Sequence, residues 1–356
     1  MTSPPFGVYI HIPFCAKRCD YCAFATWTDR GHLQTEYMHA LRRDIVAACL
    51  VPVSSVFVGG GTPTLVDPAL LGDSLRAIPT TPDAEVTVEC NPDDVTVEML
   101  RVYCDAGVNR VSIGVQSMVP HVLASLGRTH VPANVAQAVA AVRAAEIPTF
   151  NLDLIYGAAG ESLADWRATL EGAVALKPTH ISAYALTIEA GTPLAEQPER
   201  HPDDDDLADK YELADELLSA AGLANYEVSN WARPGHECKH NMLYWQQGNY
   251  RGFGSAAHSH LDGRRWWNVR TPERYIAAVT AEEPTEAAGE TLDQQTRRTE
   301  GLQLAIRMRE GVAAADLSVA ALAAEGLEDL VESDGERVRL TQRGRLLANE
   351  VSLRLR

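Results

Sequence analysis

Short runs of apolar and β-branched residues recur through the first half of the chain, separated by longer stretches whose apolar positions have helical spacing. Runs of the first kind are typical of β-strands, and stretches of the second kind are typical of amphipathic helices. The predicted strands are Val8–Ile12, Ser54–Val58, Glu85–Glu89, Arg110–Gln116, Phe150–Tyr156 and His180–Leu186. The predicted helices are Gln34–Leu50, Asp67–Ile78, Thr96–Ala106, Asn134–Ala145, Leu163–Leu176 and Leu207–Ala221.

The alternation of strand and helix predicts a parallel sheet whose connections are right-handed crossovers. A closed barrel of this kind is built from about eight such units, and the chain offers fewer. We therefore expect an α/β fold with an open, partial parallel (β/α)6 barrel over residues 1–235.

The pattern changes near Asp293, after a connecting segment at 236–290. Helical stretches are followed by two short strands around a turn signal at Asp334–Gly335 and by a last helix. Such a series resembles a winged-helix module, so we expect 291–356 to form a small α+β C-terminal domain that is winged-helix-like. The predicted elements are the helices Thr296–Met308, Ala313–Leu317, Val319–Glu325 and Thr341–Arg354, and the strands Leu327–Val331 and Arg337–Leu340.

Charge and composition narrow the class of protein. The 356 residues carry a formal net charge of −17, which disfavours binding to nucleic acid. No apolar run is long enough to cross a bilayer, and the first residues lack the pattern of a signal peptide. Seven cysteines, three of them clustered, indicate metal chemistry in a reducing compartment. We therefore expect a cytoplasmic protein.

The clustered cysteines are Cys15, Cys19 and Cys22, in the pattern Cys-x3-Cys-x2-Cys directly after the first predicted strand. Thiolates this close together can converge on one metal centre, and cysteine is the ligand that iron–sulfur clusters use. A four-iron cluster has four corners, so three cysteines leave one iron open to an outside ligand. The alternative is a zinc site, although zinc sites usually have two close pairs of ligands and no second pair follows here.

Polar residues and glycines lie at the ends of successive predicted strands. In parallel α/β folds the carboxyl ends of the strands form the ligand-binding rim. Each residue alone could be an ordinary strand end, but their joint placement predicts one binding mouth beside the cysteine loop. The residues in question are Tyr9, Gly60, Gly61, Glu89, Gln116, Asp153 and Ala185.

Six motifs carry a family resemblance: YIHIPFC-x3-C-x2-C, GGGTPT, VECNP, GVQS, LGRTH and NLDLIYG. Through them residues 7–265 resemble the HemN/HemW group of radical S-adenosylmethionine (SAM) proteins, which includes oxygen-independent coproporphyrinogen III oxidases and haem chaperones. The resemblance implies a [4Fe-4S] cluster on Cys15, Cys19 and Cys22 whose open iron binds SAM. The residues that it assigns to SAM are Tyr9, Gly60, Gly61, Thr62, Glu89, Gln116, Arg128 and Asp153, with Ala185 as a weaker match.

The chemistry of SAM suggests a role for several of these residues. Glycines let the backbone approach the methionine amino group with no side chain between. Glu89 and Asp153 can accept hydrogen bonds from ribose hydroxyls or from the amino group, and Arg128 can pair with the carboxylate.

Two departures separate this chain from the oxidases of the group. Phe24 occupies the position where the oxidases have a further cysteine. The sequence also begins eight residues before Tyr9, whereas the oxidases carry a long segment there that is used on their substrate. Both departures argue against decarboxylation of coproporphyrinogen.

A third feature favours haem. The stretch HNMLYW, from His240 to Trp245, matches the His-Asn-x-x-Tyr-Trp signature of HemW-type proteins, which has been linked to haem binding. The resemblance implies that His240 is an axial ligand of haem iron and that Tyr244 and Trp245 offer flat faces to the macrocycle. Alternatives in the same segment stay open: Cys238 is a candidate second ligand, and His258 and His260 are rival ligands.

These features together predict a radical SAM-type haem chaperone that binds a [4Fe-4S] cluster, SAM and haem and passes haem to an acceptor protein. The alternative is an oxidase that cleaves SAM to a 5′-deoxyadenosyl radical and decarboxylates two propionates of coproporphyrinogen III. The sequence leaves open whether SAM is turned over, so no residue receives a catalytic role. It also leaves open whether the acceptor lies at a membrane and whether the chain forms a homodimer.

Overall fold

A computed structural model describes residues 5–317, 322–323 and 326–355. The first six strands in sequence are parallel to one another and pair in sequence order. They are β1 (Phe6–Ile12), β2 (Val53–Gly60), β3 (Thr80–Cys90), β4 (Arg110–Gln116), β5 (Thr149–Tyr156) and β6 (His180–Ala185). The prediction of a parallel α/β sheet is confirmed, strand by strand.

Helices connect these strands, and several begin at a side-chain cap. Asp67 accepts a hydrogen bond from the amide of Ala69, and Thr96 accepts one from Met99, as N-cap residues do. The helices are α1 (Gln34–Ala47), α2 (Pro68–Arg76), α3 (Val97–Asp105), α4 (Pro120–Ser125), α5 (Pro132–Ala144), α6 (Leu163–Ala175), α7 (Asp204–Ala220), α8 (Lys239–Trp245), α9 (Pro272–Thr280) and α10 (Gln294–Ala305). Only the short α4 has no counterpart among the predicted helices of the first half, because six residues are too few to show a helical period.

The sheet is larger than predicted, because six further strands extend it on both sides. They are β7 (Ala224–Glu227), β8 (Asn230–Ala232), β9 (Asn249–Phe253), β10 (His258–Leu261), β11 (Arg264–Asn268) and β12 (Glu286–Thr291). The hairpin β7–β8 pairs with β6, while β9 pairs with β1 and continues through β10 and β11 to β12. Strand β1 therefore lies inside the twelve-stranded sheet, which is open, with β7 and β12 at its edges.

Side chains of β1 alternate between the two faces of the sheet. Val8, Ile10 and Ile12 are fully buried in the main hydrophobic core. Tyr9 and His11 point to the opposite face, because successive strand residues alternate. This second face carries the cavities in which the predicted site residues lie.

The C-terminal region is a small α+β unit with its own buried apolar cluster. Its three-stranded antiparallel sheet has the order β13-β15-β14, and the predicted turn at Asp334–Gly335 joins β14 to β15. The elements are β13 (Val312–Ala313), β14 (Val331–Ser333), β15 (Arg337–Leu340), α11 (Gln342–Leu346) and α12 (Ala348–Arg354).

Three predicted elements of this region differ from the structure. The predicted strand Leu327–Val331 is wrong except at its last residue, because Glu328–Leu330 is a short 3-10 helix and β14 begins at Val331. Ala313–Leu317 is not a helix, because Val312 and Ala313 pair with β15 and a turn follows. The last helix is interrupted at Leu347, between α11 and α12. Most of the predicted helix Val319–Glu325 lies outside the described residues. The proposed division of the chain at 235 and 290 stays a prediction, and β9–β12 belong to the main sheet.

Among the helices in the described ranges, none is both long enough and apolar enough to cross a membrane.

Candidate functional site

The cysteine loop begins where β1 ends and is closed at its base by backbone hydrogen bonds. The amide of Cys15 donates to the carbonyl of Trp27 at 3.1 Å, and the amide of Trp27 donates to the carbonyl of Pro13 at 2.8 Å. Within the loop, the amide of Cys22 donates to the carbonyl of Cys19 at 3.2 Å. The three thiols are free and partly exposed. The chain thus holds them on a tethered loop beside the sheet.

The three cysteines line a cavity of about 700 Å³, which we call the cysteine cavity. The ends of successive parallel strands supply much of the remaining lining, as expected for the rim of such a sheet. The predicted site residues that it brings together are Cys15, Cys19, Cys22, Gly60, Gly61, Thr62, Glu89, Gln116, Arg128, Asp153 and Ala185. Tyr9 is the exception, because it lines two adjoining cavities instead.

Two side chains donate hydrogen bonds to the cysteine sulfurs. The Thr62 hydroxyl reaches Sγ of Cys15 at 3.7 Å, and Nη1 of Arg128 reaches Sγ of Cys19 at 3.6 Å. Burial raises the pKa of the Cys15 and Cys22 thiols. Bound iron would remove these protons, because a coordinating thiol is deprotonated. Soft sulfur donors with nearby hydrogen-bond donors fit an iron–sulfur cluster.

The thiols are not arranged around a single ion. Within the described parts of the chain, no three His, Cys, Asp or Glu side chains are placed to hold one metal ion.

Arg128 is held in place by groups that the sequence analysis did not single out. Its Nη2 donates to the side-chain oxygen of Asn91 and, at 3.1 Å, to the carbonyl of Gly114. Asn91 follows β3 in the VECNP motif, which was the available signal for it. Because these contacts fix the guanidinium, Arg128 faces the cavity beside Cys19 in a defined orientation.

Two carboxyl side chains, those of Glu89 and Asp153, line the cysteine cavity. Oε2 of Glu89 accepts the amide hydrogen of Gly60 at 3.2 Å. Asp153 accepts hydrogen bonds from Ser112 at 2.7 Å and from Asn151 at 2.8 Å. The sequence analysis missed Ser112 and Asn151, although both are polar residues on buried strands. Two neighbouring carboxyl groups suit a ligand with a positive charge.

Burial and then the charge of Asp153 raise the pKa of Glu89 to about 8. Burial raises the pKa of Asp153 as well. The free protein therefore holds a proton on Glu89 at neutral pH, and a cationic ligand would displace it.

Gly60 is required by the close approach of β1 and β2. Its φ is 106°, a conformation that favours glycine. A Cβ atom there would lie 2.4 Å from the His11 ring. The glycine therefore lets the end of β2 pass the imidazole and presents its amide to Glu89.

A second cavity, of about 830 Å³, lies against β9, β10 and β11, and we call it the aromatic cavity. Ala23 and Phe24 of the cysteine loop line both cavities, and the Phe24 side chain is 65% exposed. The ring-bearing and basic residues of the aromatic cavity are Tyr9, His11, Phe24, Tyr244, Tyr250, His258, His260, Arg265, Trp267, Arg270 and Arg274.

His240 lies on α8 behind this cavity and is fully buried. Its Nδ1 contacts the Ser55 hydroxyl at 2.9 Å, and its Nε2 contacts the Tyr244 hydroxyl at 2.8 Å. The ring stacks on Phe57 with 5.4 Å between ring centres. Burial, with a smaller effect of Arg110, lowers the pKa of His240 to about 3. Both ring nitrogens are thus engaged, and iron could reach Nε2 only after Tyr244 withdraws.

The other candidate ligands of that segment are also placed by the structure. Cys238 is fully buried, and its Sγ donates to Oε1 of Glu85 at 3.4 Å. His260 is buried, with Nδ1 against the carbonyl of Gly248 and Nε2 accepting the amide of Gly263. His258 alone among these groups is exposed.

Comparison with known proteins gives the family. The family model of the radical SAM superfamily matches residues 9–173. The haem chaperone HemW of Mycobacterium tuberculosis is 42% identical over 99% of this chain and 95% of its own length. The chain belongs to the HemW family. Its HemW relatives include those of Escherichia coli, 40% identical over 77% of this chain and 76% of that protein, and of Bacillus subtilis, 31% identical over 97% of both.

The HemW-family chain also resembles a solved structure outside its own branch. Coproporphyrinogen III oxidase (HemN) from Escherichia coli superposes with a TM-score of 0.85 over 99% of this chain and 90% of that chain. Sequence identity with it is 22%, so the match establishes the radical SAM fold and not the reaction.

One prediction concerns the proton on Glu89 of this HemW-family chain. A group whose pKa is raised on folding stabilises the fold below its unfolded pKa, and this contribution is lost as pH rises through the folded pKa. For Glu89 the window runs from 4.5 to about 8. As the pH rises across that window, we expect the free energy of unfolding of the cluster-free wild type to fall by on the order of a few kcal/mol relative to that of Glu89→Gln.

The measurement is denaturant unfolding of both proteins at the two ends of the window. Asp153 is present in both proteins, so its own titration largely cancels in the difference. Parallel stability curves for wild type and variant at every pH would contradict the raised pKa.

Proposed function

We propose that this protein is a cytoplasmic radical SAM-type haem chaperone, which binds a [4Fe-4S] cluster, SAM and haem and hands haem to an acceptor protein. The observation that carries the proposal is the pair of adjoining cavities, one lined by three cysteines and one by aromatic and basic side chains. The names of its relatives, such as the haem chaperone HemW of Mycobacterium tuberculosis, support the same function.

Cys15, Cys19 and Cys22 would hold the cluster in this proposal. When bound, the cluster supplies an open iron site for SAM and an electron at low potential. The Thr62 hydroxyl and the Arg128 guanidinium, which already donate to two of the sulfurs, would stabilise the thiolate charge. Such donors to sulfur tune the stability and potential of a metal site.

The remaining rim residues would bind SAM. Glu89 and Asp153 would offer carboxyl groups to the cationic part of the molecule, and Arg128, which lines the same cavity, would pair with the methionine carboxylate. Gly60, Gly61 and Gln116 line the same cavity and would contact SAM through backbone and amide groups. Tyr9 would act from the adjoining cavities that it lines. Its hydroxyl contacts Nδ1 of His11 at 3.0 Å.

The role of His240 as a haem ligand remains a proposal with a structural condition. Nε2 is hydrogen-bonded to Tyr244, so coordination requires a rearrangement of that contact. In the described conformation His240 instead fixes α8 against β2 through Ser55. Its replacement would therefore affect both haem binding and the packing of α8.

The test is anaerobic and uses the full chain with a reconstituted cluster. Haem is titrated into the protein, and in parallel SAM, a strong reductant and coproporphyrinogen III are added and products are separated by chromatography. We expect stoichiometric haem binding, transfer of haem from the loaded protein to a haem-free acceptor, and no protoporphyrinogen. Many turnovers to protoporphyrinogen would overturn the chaperone function in favour of the oxidase.

A further inference from the structure

We propose that the aromatic cavity is the haem site and that His258 is the residue that ligates the haem iron. The assignment rests on the haem-binding function proposed above, and it places the iron on a different residue from the signature histidine His240.

Three histidines in the described part of the chain line the aromatic cavity. Only one of them has ring nitrogens without a hydrogen-bond partner. His11 is buried, with Nδ1 against the Tyr9 hydroxyl at 3.0 Å and Nε2 against the carbonyl of Ala25 at 2.9 Å. His260 is buried, with both ring nitrogens hydrogen-bonded. His258 is exposed, and no described residue forms a hydrogen bond with its ring. An imidazole can ligate iron only through a nitrogen that has no other partner.

His258 lies on a β-strand of the main sheet, and its ring is held by a neighbouring side chain, as suits a residue that ligates iron. It lies on β10 opposite Trp267 of β11, and the two rings stack with 5.6 Å between their centres. Burial and then Arg265 lower the pKa of His258, and this shift favours the neutral form of the imidazole, which is the form that binds metals. A strand residue stacked on a neighbouring indole ring has little rotational freedom, so its orientation is set before a ligand arrives.

The lining of the cavity suits a flat aromatic molecule. Its aromatic surface comes from the rings of Tyr9, Phe24, Tyr244, Tyr250 and Trp267. Phe24 is 65% exposed, and a large apolar side chain left open at a cavity commonly marks a contact surface. The volume of about 830 Å³ lies within the range of about 300–1,000 Å³ that is usual for ligand pockets.

The rim of the cavity carries the charges that haem requires. Haem bears two propionates, and Arg270 and Arg274 line the cavity with exposed guanidinium groups. Neither guanidinium has a hydrogen-bond or ion-pair partner among the described residues. Arg265, in contrast, is held by Glu290 and Glu300. Two unpaired arginines at one rim of a chain with a net charge of −17 fit two carboxylates.

The experiment compares haem with metal-free protoporphyrin IX, because only haem uses an axial ligand. Both are titrated into the full chain with its cluster, and the absorption and electron paramagnetic resonance spectra of bound haem are recorded. The variants are His258→Ala, the double variant Arg270→Ala with Arg274→Ala, and His39→Ala as a control. His39 is an exposed histidine on α1, outside the cavity.

For His258→Ala we expect a loss of haem affinity of roughly tenfold or more, a changed spectrum of bound haem, and unchanged affinity for protoporphyrin IX. The double arginine variant should weaken both ligands, and His39→Ala neither. His258 is exposed, so its replacement should not unfold the chain, and circular dichroism checks this.

Wild-type haem affinity and spectrum in His258→Ala would overturn the assignment while leaving the chaperone function standing. Absence of haem binding by the wild type would overturn the proposed function itself. Equal weakening of haem and protoporphyrin IX by His258→Ala would also contradict an iron ligand, since a purely structural role affects both ligands alike.

Discussion

Replacing Cys22 by alanine will reduce the iron bound after anaerobic reconstitution from about four atoms per chain to fewer than about one. The reason is geometric: the tethered loop offers three sulfurs to one cavity, and two thiolates cannot hold a four-iron cluster against loss to solvent. The same result is expected for Cys15 and Cys19. SAM binding, measured by equilibrium dialysis, should fall with the iron, because in the proposed site the open iron of the cluster would bind SAM.

The matched control for this prediction is another cysteine of the same chain. Cys49 is an exposed free cysteine that does not line the cavity, so Cys49→Ala should keep full iron, sulfide and SAM binding. A Cys22→Ala protein with the wild-type content of iron and sulfide would contradict the ligand set. So would an equal loss in the Cys49 variant, because it would point to general instability instead.

Replacing Glu85 by alanine will lower the free energy of unfolding by about 3–5 kcal/mol. Glu85 is buried beside Arg110, with 3.9 Å between Oε2 and Nε, and its carboxylate also accepts the backbone amides of Lys239 and His240, each at 3.2 Å. Sγ of Cys238 donates to it as well. The variant leaves a buried guanidinium without its counter-charge and two amides without an acceptor, and each of these is costly.

Asp83 supplies the control on the same strand. It is exposed and forms a surface ion pair with Lys239 at 3.6 Å, and exposed pairs contribute little to stability. We therefore expect Asp83→Ala to unfold at nearly the wild-type denaturant concentration. Chemical unfolding of the three proteins, followed by circular dichroism, gives the comparison. A Glu85→Ala protein as stable as Asp83→Ala would show that the buried carboxylate does not anchor α8.

The parallel strands and the cysteine site were predictable because their signals are local. A strand such as Arg110–Gln116 was located with its exact bounds, since apolar runs and their flanking turns lie in adjacent residues. Glu89, Gln116 and Asp153 were predicted to share one rim, and all three line the cysteine cavity. The inference needed only the rule that parallel strands end on the same side of a sheet.

The rest of the sheet depends on pairing between distant residues. Strand β9 pairs with β1, and Gly7 lies opposite Tyr250, so the paired residues are separated by more than half of the sequence. No local sequence pattern predicts a pairing between residues so far apart. The aromatic cavity exists because of this pairing. For the same reason the sequence did not reveal that His240 is buried behind the cavity while His258 opens into it, since both are histidines of one polar segment.

The C-terminal errors have a different cause. Ala313–Leu317 has the local composition of a helix, but Val312 and Ala313 satisfy their backbone by pairing with Val338 and Arg337. Tertiary pairing overrode a weak local preference there, as it commonly does.

The lining that the two cavities share, Ala23 and Phe24, has a thermodynamic consequence. A ligand whose binding depends on the position of these two residues alters the affinity of the other cavity for its own ligand, and the coupling must be equal in both directions. If SAM tightens haem binding by a given factor, haem tightens SAM binding by that same factor. The cellular concentration of SAM would then set the affinity of the protein for haem. A chain with bound haem would differ from a haem-free chain in its affinity for SAM.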